Sequence, residues 1–260
     1  MSRRRALGQH FLRDPATARA VVDLVAPTAA DLAVEIGPGE GALTGELARR
    51  AGRVLALEVD PLLVLRLRPR FPTVEVLAAD ARTWDYRALA APPGGRVLVV
   101  GNLPYSVGKP ILAAVLAAHA AVAEAALMLQ REVAERVAAP PGSRVYGSLS
   151  VLAQLHWDVR LALRVPPGAF RPPPKVDSAV LHLRALPAAR VAVADERRFE
   201  RVVRAAFAQR RKMLVNALAA GLGLSQGAVR TAAAGAGVDP GRRAETLTIL
   251  DFARLAERLS

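Results

Sequence analysis

The sequence contains no cysteine, and this absence removes three kinds of chemistry at once. Disulfide bonds, thiolate nucleophiles and thiolate metal sites are all excluded. Histidine is also scarce, and the residues of this type are scattered without the spacing of metal ligands: His10, His119, His156 and His182. We therefore predict no metal site.

Lysine occurs only three times among 260 residues, although the chain carries 36 Lys and Arg against 23 Asp and Glu. The formal net charge of +13 predicts a polyanionic partner, either a nucleic acid or an anionic membrane. The guanidinium group of arginine donates two hydrogen bonds to one phosphate and also stacks on bases. Because arginine supplies nearly all of the positive charge, the composition favours nucleic acid as the partner. An arginine-biased genome would give the same composition.

Long apolar runs are missing as well. No stretch reaches the length that spans a bilayer, and the basic residues 3–5 are not followed by the apolar segment of a signal peptide. We therefore expect a cytoplasmic protein. A chain of 260 residues is long enough for one large domain with a smaller one beside it.

Strands and helices alternate over the first 186 residues, which predicts an α/β domain over 1–186. The predicted strands cover residues 31–37, 53–59, 74–79, 97–100, 124–130, 158–165 and 177–183. The predicted helices between them cover residues 15–26, 42–50, 61–70, 107–119, 131–138 and 148–156. From about residue 195 the pattern is helical only, and Thr248 and Asp251 form a capping box before the last helix. Residues 187–260 are therefore expected to form a small all-helical domain.

A glycine-rich turn, residues 37–42, joins the first of these strands to a helix, the order that a nucleotide-binding unit requires. Gly37 and Gly39 let the backbone approach a ligand closely. The pattern alone fits a nicotinamide dinucleotide as well as S-adenosylmethionine. Two acidic residues favour the latter: Glu40 would repel a pyrophosphate, and Glu35 is placed to help hold the cationic amino acid end of a methyl donor, directly or through water. A turn without any ligand is the remaining alternative.

The next two strands also end in acidic residues. Glu58 follows the glycines by about twenty residues, where a carboxylate accepts from ribose hydroxyls. Asp80 is expected to accept from an adenine amino group, or else to cap a helix or be a solvated acid in a loop. Glu35, Glu58 and Asp80 thus place acids along one edge of the predicted sheet.

A fourth strand leads into Asn102, Leu103, Pro104 and Tyr105. We predict that this turn grips a planar base that carries an amino group, because the Asn102 oxygen and the Leu103 carbonyl accept hydrogen bonds while Tyr105 offers a stacking face. Pro104 stiffens the turn. An ordinary polar turn with Tyr105 in the core is the alternative. Phe170, in a proline-rich segment, is predicted either to pack on the base or to fill the core.

Two segments are candidates for contact with RNA. A loop before the helix at 148–156 carries Arg144 and Tyr146, and a basic amphipathic stretch ends in Arg210, Arg211 and Lys212. A charged helix face usually contacts only solvent. Because the charges on this stretch are almost all positive, contact with RNA phosphates is the favoured interpretation.

Nearly the whole chain resembles the family of ribosomal RNA small-subunit adenine N6,N6-dimethyltransferases of the KsgA type. The motifs that carry the resemblance are Gly8-Gln9-His10-Phe11-Leu12, Glu35-Ile36-Gly37-Pro38-Gly39, Glu58, Asp80, Gly101-Asn102-Leu103-Pro104-Tyr105, Leu129-Gln130-Arg131-Glu132-Val133, Pro166-Pro167 with Phe170, and Phe207 with Arg210-Arg211-Lys212. The resemblance implies a Rossmann-like methyltransferase domain that uses S-adenosylmethionine, followed by a helical RNA-binding domain. It assigns cofactor contacts to His10, Leu12, Gly37, Glu58, Asp80 and Asn102. At His10 many members of the family have asparagine.

The implied substrate is a pair of adjacent adenosines in a hairpin loop near the 3′ end of 16S ribosomal RNA. The resemblance implies that both are methylated twice during late assembly of the small subunit, by a protein expected to act as a monomer. Related resistance enzymes that modify large-subunit RNA share the core motifs. Two other functions stay open: an assembly factor with methylation as a secondary role, and a nicotinamide-dependent oxidoreductase, which would leave the charge and the turn at Asn102 unexplained.

Overall fold

The computed structural model describes residues 10–209 and 211–259. The basic arm at 3–9 and Arg210 lie outside the described residues. The described chain divides into two compact units, one of residues 10–134 and 158–185 and the other of residues 135–157 and 186–259. Among the described residues, none of the helices has both the length and the apolar character needed to cross a bilayer.

The first unit is built on a sheet. Its strands are β1 (Phe11–Leu12), β2 (Leu32–Ile36), β3 (Arg53–Glu58), β4 (Val74–Ala78), β5 (Val97–Asn102), β6 (Glu124–Gln130), β7 (Trp157–Val165), β8 (Phe170–Arg171) and β9 (Ser178–Ala185). Its helices are α1 (Pro15–Val25), α2 (Ala42–Ala48), α3 (Pro61–Arg70) and α4 (Gly108–Leu116). The helix α5 (Arg131–Val137) leads out of this unit.

Seven strands form the main sheet in the order β4-β3-β2-β5-β6-β9-β7. The strands β4, β3, β2, β5 and β6 pair in parallel, and β9 pairs with β6 in antiparallel fashion. Every residue of β2 is buried, as expected for a parallel strand that is covered on both faces. The chain leaves β2 toward β3 on one side and later returns to β5 on the other. That reversal of strand order opens a crevice at the carboxyl ends of β2 and β5.

The main sheet confirms the predicted α/β class. The helical second unit confirms the prediction of a small all-helical domain. The two-residue strands β1 and β8 were not predicted. They pair in antiparallel fashion, with Phe11 opposite Arg171 and Leu12 opposite Phe170. Strands this short carry no alternation pattern in the sequence, because their pairing is fixed by contacts between distant segments.

The second unit contains α6 (Ser148–His156), α7 (Glu196–Ala208), α8 (Leu214–Leu222), α9 (Gln226–Gly235) and α10 (Ile249–Arg258). Asp195 caps α7, with its carboxylate accepting from the backbone N–H of Arg198 at 3.0 Å. The predicted capping box of α10 is present: Asp251 N–H donates to Thr248 Oγ1 at 3.1 Å, and Thr248 N–H donates to the Asp251 carboxylate at 2.9 Å. These caps satisfy backbone donors that have no partner within the helix.

The boundary between the units differs from the sequence-based one. Residues 135–157 belong to the second unit, although the sequence placed them in the α/β domain. Val151 and Leu155 of α6 join the buried cluster that contains Phe199 and Phe252. The apolar face of an amphipathic helix shows that the helix packs on a core, but it does not show which of two cores receives it.

Tyr146 is fully buried in the second unit, with 0% of its surface exposed. Its ring meets Phe207 edge to face, with the ring centroids 5.9 Å apart, and Phe207 in turn packs on Phe252. The expectation that Tyr146 contacts RNA is therefore wrong. The polar loop around Tyr146 indicated a surface position. The ring is buried instead, because it packs on Phe207 in the core that α7 and α10 form.

Tyr146→Ala is expected to destabilise the second unit by about 3 kcal/mol, because it removes a buried aromatic ring and leaves a cavity. Tyr146→Phe is the matched control. The Tyr146 hydroxyl has no hydrogen-bond partner among the described residues, so its loss should cost little or nothing. Urea unfolding followed by circular dichroism measures both variants. Equal stability of Tyr146→Ala and the parent would contradict the core role.

Candidate active site

A cleft opens at the carboxyl ends of β2, β3, β4 and β5, with an empty volume of about 920 Å³ that includes its open mouth. Most of the site residues predicted from the sequence line it: His10, Gly37, Gly39, Glu58, Asp80, Asn102, Leu103, Pro104 and Tyr105. Leu12, Glu35 and Phe170 do not belong to its lining.

The glycine turn forms one wall of the cleft. Gly37 and Gly39 have φ values of +64° and +57°, in the left-handed region that favours glycine. A Cβ atom on Gly39 would lie 2.8 Å from Cδ1 of Phe11, closer than carbon atoms pack. Phe11 itself lines the cleft, and the sequence analysis did not select it. The turn therefore requires glycine at position 39 for two reasons, its backbone conformation and the close approach of an aromatic ring.

Glu58 holds the glycine turn in place. Its carboxylate accepts from Gly39 N–H at 3.1 Å through one oxygen and from Asp60 N–H at 3.0 Å through the other. Burial raises the pKa of Glu58, although these backbone donors oppose the rise. Each carboxylate oxygen has a second lone pair, so Glu58 retains acceptor capacity for the ribose hydroxyls that the sequence analysis assigned to it.

Asp80 lies at the cleft wall beside Arg82, another lining residue that the sequence analysis did not select. The Arg82 Nε lies 3.0 Å and 2.9 Å from the two carboxylate oxygens, and Arg82 Nη2 lies 2.6 Å from Oδ2. Hydrogen bonds from Arg82 hold the pKa of Asp80 below its ordinary value. The carboxylate therefore stays ionised and oriented, as an acceptor for an adenine amino group must be.

Glu35 takes a different place from the predicted one. Only 1% of its surface is exposed, and it lies beneath the glycine turn instead of on the cleft wall. Burial raises the pKa of Glu35 to about 8, Thr44 at the start of α2 opposes the rise, and the nearby Glu58 charge adds to it. A direct contact between Glu35 and a ligand in the cleft is therefore wrong for this structure, because a buried strand residue next to the turn points into the core.

The side chain of Asn102 is oriented by the backbone of the N-terminal segment. Its Nδ2 donates to the carbonyl oxygen of His10 at 2.8 Å. The amide must have this orientation, because two carbonyl oxygens at that distance would repel each other. The Asn102 oxygen is thereby turned away from His10 and is available to accept from a bound amino group. The adjacent Leu103 is fixed by its own N–H, which donates to Met128 O at 3.0 Å.

Tyr105 is half-buried beside Asn102. Its hydroxyl lies 2.6 Å from Oγ of the buried Ser178, and its ring centroid lies 5.3 Å from that of His10. Burial raises the pKa of Tyr105, so the hydroxyl is neutral at physiological pH. The ring lines the cleft and is held at its rim. It thus has the position required of a stacking surface for an extruded base.

Phe170 and Leu12 belong to the core of the first unit, with exposures of 4% and 5%. Of the two alternatives for Phe170, the structure shows the one in which the ring fills the core, and the cofactor contact that the resemblance assigns to Leu12 stays a prediction for a residue whose side chain is buried. Through the pairing of β1 with β8, these two residues instead anchor the strand that presents Phe11 to the cleft. Successive side chains of a strand point to opposite faces. Because Leu12 faces the core, its neighbour Phe11 faces the cleft, and this alternation was the signal in the sequence that could have identified Phe11 as a lining residue.

In the second unit, the predicted RNA-contacting residues Arg144, Arg211 and Lys212 are exposed. Exposure is compatible with phosphate contact, and their role stays a prediction.

A Rossmann-like sheet with a glycine turn and with two acidic side chains, Glu58 and Asp80, in the cleft at its carboxyl edge has the parts that S-adenosylmethionine requires. Together with a turn that offers amide and carbonyl oxygens beside a stacking ring, these parts define a methyltransferase that acts on the amino group of a base. The family model of ribosomal RNA adenine dimethylases matches residues 1–260, and the chain belongs to this family. Membership confirms the predicted enzyme class and S-adenosylmethionine as the methyl donor.

Curated relatives match over almost the whole chain. A ribosomal RNA small subunit methyltransferase A of Geobacter metallireducens is 47% identical, with 98% of this chain and 95% of the relative covered. One of Anaeromyxobacter sp. strain K is 48% identical, with coverages of 98% and 93%. Among solved structures, the 23S rRNA methyltransferase ErmE is 30% identical with a TM-score of 0.72, covering 96% of this chain and 99% of that one. A Plasmodium falciparum dimethyladenosine transferase, 22% identical with a TM-score of 0.78 over 95% and 96%, shares the fold.

Gly39→Ala is expected to weaken binding of S-adenosylmethionine about tenfold or more, because the new Cβ combines a strained φ with a clash against Phe11. Isothermal titration calorimetry measures the affinity. Gly94→Ala is the matched control, since Gly94 has a φ of +72° but nothing within 4 Å of its added Cβ. The control should lose about 1 kcal/mol of stability and no affinity. Unchanged affinity of Gly39→Ala would contradict the role of the turn.

Glu35→Gln is expected to flatten the dependence of stability on pH. In the parent, the folded state keeps a proton on Glu35 that the unfolded state releases near pH 4.5, so stability falls as the pH rises and the loss is complete above about pH 8. The variant lacks this titration and should be the more stable protein at pH 9. Urea unfolding at pH 5, 6, 7, 8 and 9 checks the slope. Parallel curves for the two proteins would show that Glu35 is ionised in the folded state.

Proposed function

We propose that this protein transfers methyl groups from S-adenosylmethionine to the N6 atoms of two adjacent adenosines in small-subunit ribosomal RNA, and makes both dimethylated. The proposal places these adenosines in the hairpin loop near the 3′ end of 16S RNA and the reaction in late subunit assembly. We further propose that the protein acts as a monomer in the cytoplasm. The observation that carries the proposal is the orientation of Asn102 by the His10 carbonyl, which leaves the amide oxygen available to accept a hydrogen bond in the cleft that Tyr105 also lines.

The choice of the small subunit rests on sequence similarity. The relatives that share 47% and 48% identity bear the name of a small-subunit enzyme, whereas the 23S enzyme ErmE shares 30%. The exposed Arg211 and Lys212 in the helical unit and the net charge of +13 support binding to a large RNA. Arg144 adds a third exposed cation in the same unit.

The reaction needs the adenine amino nitrogen to become a nucleophile, although its lone pair is delocalised into the ring. In the proposed mechanism, the Asn102 oxygen and the Leu103 carbonyl accept the two amino hydrogens and favour a pyramidal nitrogen. Tyr105 stacks on the extruded base and fixes its plane. Both contacts act by positioning and electrostatics, so no strong base is required.

When bound, S-adenosylmethionine supplies a methyl group on a sulfonium. With the amino nitrogen held by Asn102 and Leu103, its lone pair would form the new C–N bond as the S–C bond breaks, and the electron pair of that bond would stay on sulfur. The methylated nitrogen then releases one proton to water. After the first transfer one amino hydrogen remains, so the same turn accepts the monomethylated base for a second round.

Asn102→Ala is expected to lose at least about a hundredfold in turnover and far less in its affinity for S-adenosylmethionine and RNA, because it removes an acceptor aimed at the reacting amino group. The assay is transfer of radiolabelled methyl groups to unmethylated small subunits, with nucleoside analysis of the product. Calorimetry on the same protein reports cofactor binding as an internal control. An Asn102→Ala enzyme with normal turnover would exclude the proposed role of this residue.

The same assay with large subunits in parallel tests the substrate. Dimethyladenosine in the small subunit alone supports the proposal, and label only in the large subunit would overturn it. The high positive charge also favours a second candidate, an assembly factor that binds immature subunits. That function would give tight, salt-sensitive binding to small subunits without label.

A further inference from the structure

We infer that the aromatic ring of Phe11 is the surface against which the cleft holds the positively charged sulfonium of the methyl donor. The ring thereby makes the cleft prefer S-adenosylmethionine to the product S-adenosylhomocysteine, whose sulfur carries no charge. The inference is carried by the position of Phe11 between the glycine turn and Asn102, and by the acids that line the cleft. It rests on the proposed function for one point, the place of the target amino group beside Asn102.

Phe11 lies where the donor side of the cleft meets the target side. Its ring borders the glycine turn, because a Cβ atom added to Gly39 would lie 2.8 Å from Cδ1 and 3.0 Å from Cε1 of that ring. Phe11 directly follows His10, whose carbonyl oxygen accepts from Asn102 at 2.8 Å. The turn and Asn102 also approach each other, since a Cβ atom added to Gly37 would lie 3.7 Å from the Asn102 carbonyl oxygen. The half-buried Phe11 ring therefore lines the cleft at the junction of its two sides.

The sulfonium has to lie at this junction. Methyl transfer requires the methyl carbon and the attacking nitrogen to come within about 3–3.5 Å of each other. In the proposed function the nitrogen is held beside Asn102, and the donor is held by the glycine turn. Phe11 borders both of these groups, so its ring is next to the place where the charged sulfur is needed.

The acids that line the cleft are already assigned to other parts of the donor. Among the described residues these acids are Glu58, assigned to the ribose, and Asp80, assigned to the adenine. Glu35 does not line the cleft, and burial raises its pKa to about 8, so it supplies little negative charge near neutral pH. Tyr105 is assigned to the target base. Phe11 is thus the aromatic surface that is left for the sulfonium.

An aromatic ring attracts a cation because its π face is negative, and the attraction grows when the pair is shielded from water. The strand β1 holds Phe11 in place for this contact. It pairs with β8, with Phe11 opposite Arg171, and the next residue, Leu12, is anchored in the core. Methyl transfer removes the charge from sulfur, so the attraction ends with the reaction. The ring therefore favours binding of the donor and release of the product.

The test replaces Phe11 in the full-length protein, site-specifically, with phenylalanines that carry one, two and three fluorine atoms. Fluorine withdraws electron density from the π face and changes the size of the ring little. Calorimetry should show the affinity for S-adenosylmethionine falling stepwise, by about fivefold over the series, while the affinity for S-adenosylhomocysteine stays constant. The same replacements at Phe170 are the matched control. Phe170 is buried in the core of the same unit and does not line the cleft, so neither affinity should change.

Phe11→Leu is a second variant, which keeps an apolar side chain but has no π face. Its preference for S-adenosylmethionine over S-adenosylhomocysteine should fall by about fivefold or more. Equal losses of affinity for the two ligands, or an unchanged affinity of the fluorinated proteins for S-adenosylmethionine, would overturn the inference. These measurements need no RNA. They therefore still decide the role of Phe11 if the parent protein transfers no methyl group to small subunits, the result that would refute the proposed function.

Discussion

The in-register parallel pairing of β2 with β3 on one side and β5 on the other is the constraint on which the site depends. Ile36 lies opposite Leu57 in β3 and opposite Gly101 in β5, so the three strands end at the same level. The residues that follow them are thereby brought to one edge of the sheet. A shift of one residue in any pair would turn the buried side chains of that strand to the opposite face, so packing on both faces of the sheet fixes this register.

Once the strand ends are aligned, backbone hydrogen bonds build the cleft. Glu58 at the end of β3 accepts from the turn that follows β2, and Asn102 at the end of β5 donates to the segment that precedes β1. Each polar side chain of the site is thus held by a neighbouring segment as well as by its own strand. Such mutual support keeps a binding site ordered without the ligand, which reduces the entropy lost when the ligand binds.

The charges of the two acids at the cleft are set by different surroundings. Burial raises the pKa of Glu58, while the Arg82 guanidinium lowers that of Asp80. A third acid, Glu35, is buried beneath the turn and has the largest rise, to about 8. Three carboxyl groups at the ends of adjacent strands therefore have different surroundings: Glu35 is buried beside Thr44, Glu58 accepts from the glycine turn at the cleft, and Asp80 stays ionised at the cleft wall beside Arg82.

The sequence by itself determined the α/β class, the main-sheet strands, and the grouping of Gly37, Glu58, Asp80 and Asn102 at one edge. Local patterns carry this information, because buried parallel strands are continuously apolar and glycine turns need particular residues. Only the tertiary structure decided that α6 and Tyr146 join the second core, that Phe170 and Leu12 are buried while Phe11 faces the cleft, and that His10 contacts Asn102 and Tyr105. Such choices depend on which distant segments pack together, and the residue types in any one segment are compatible with more than one partner.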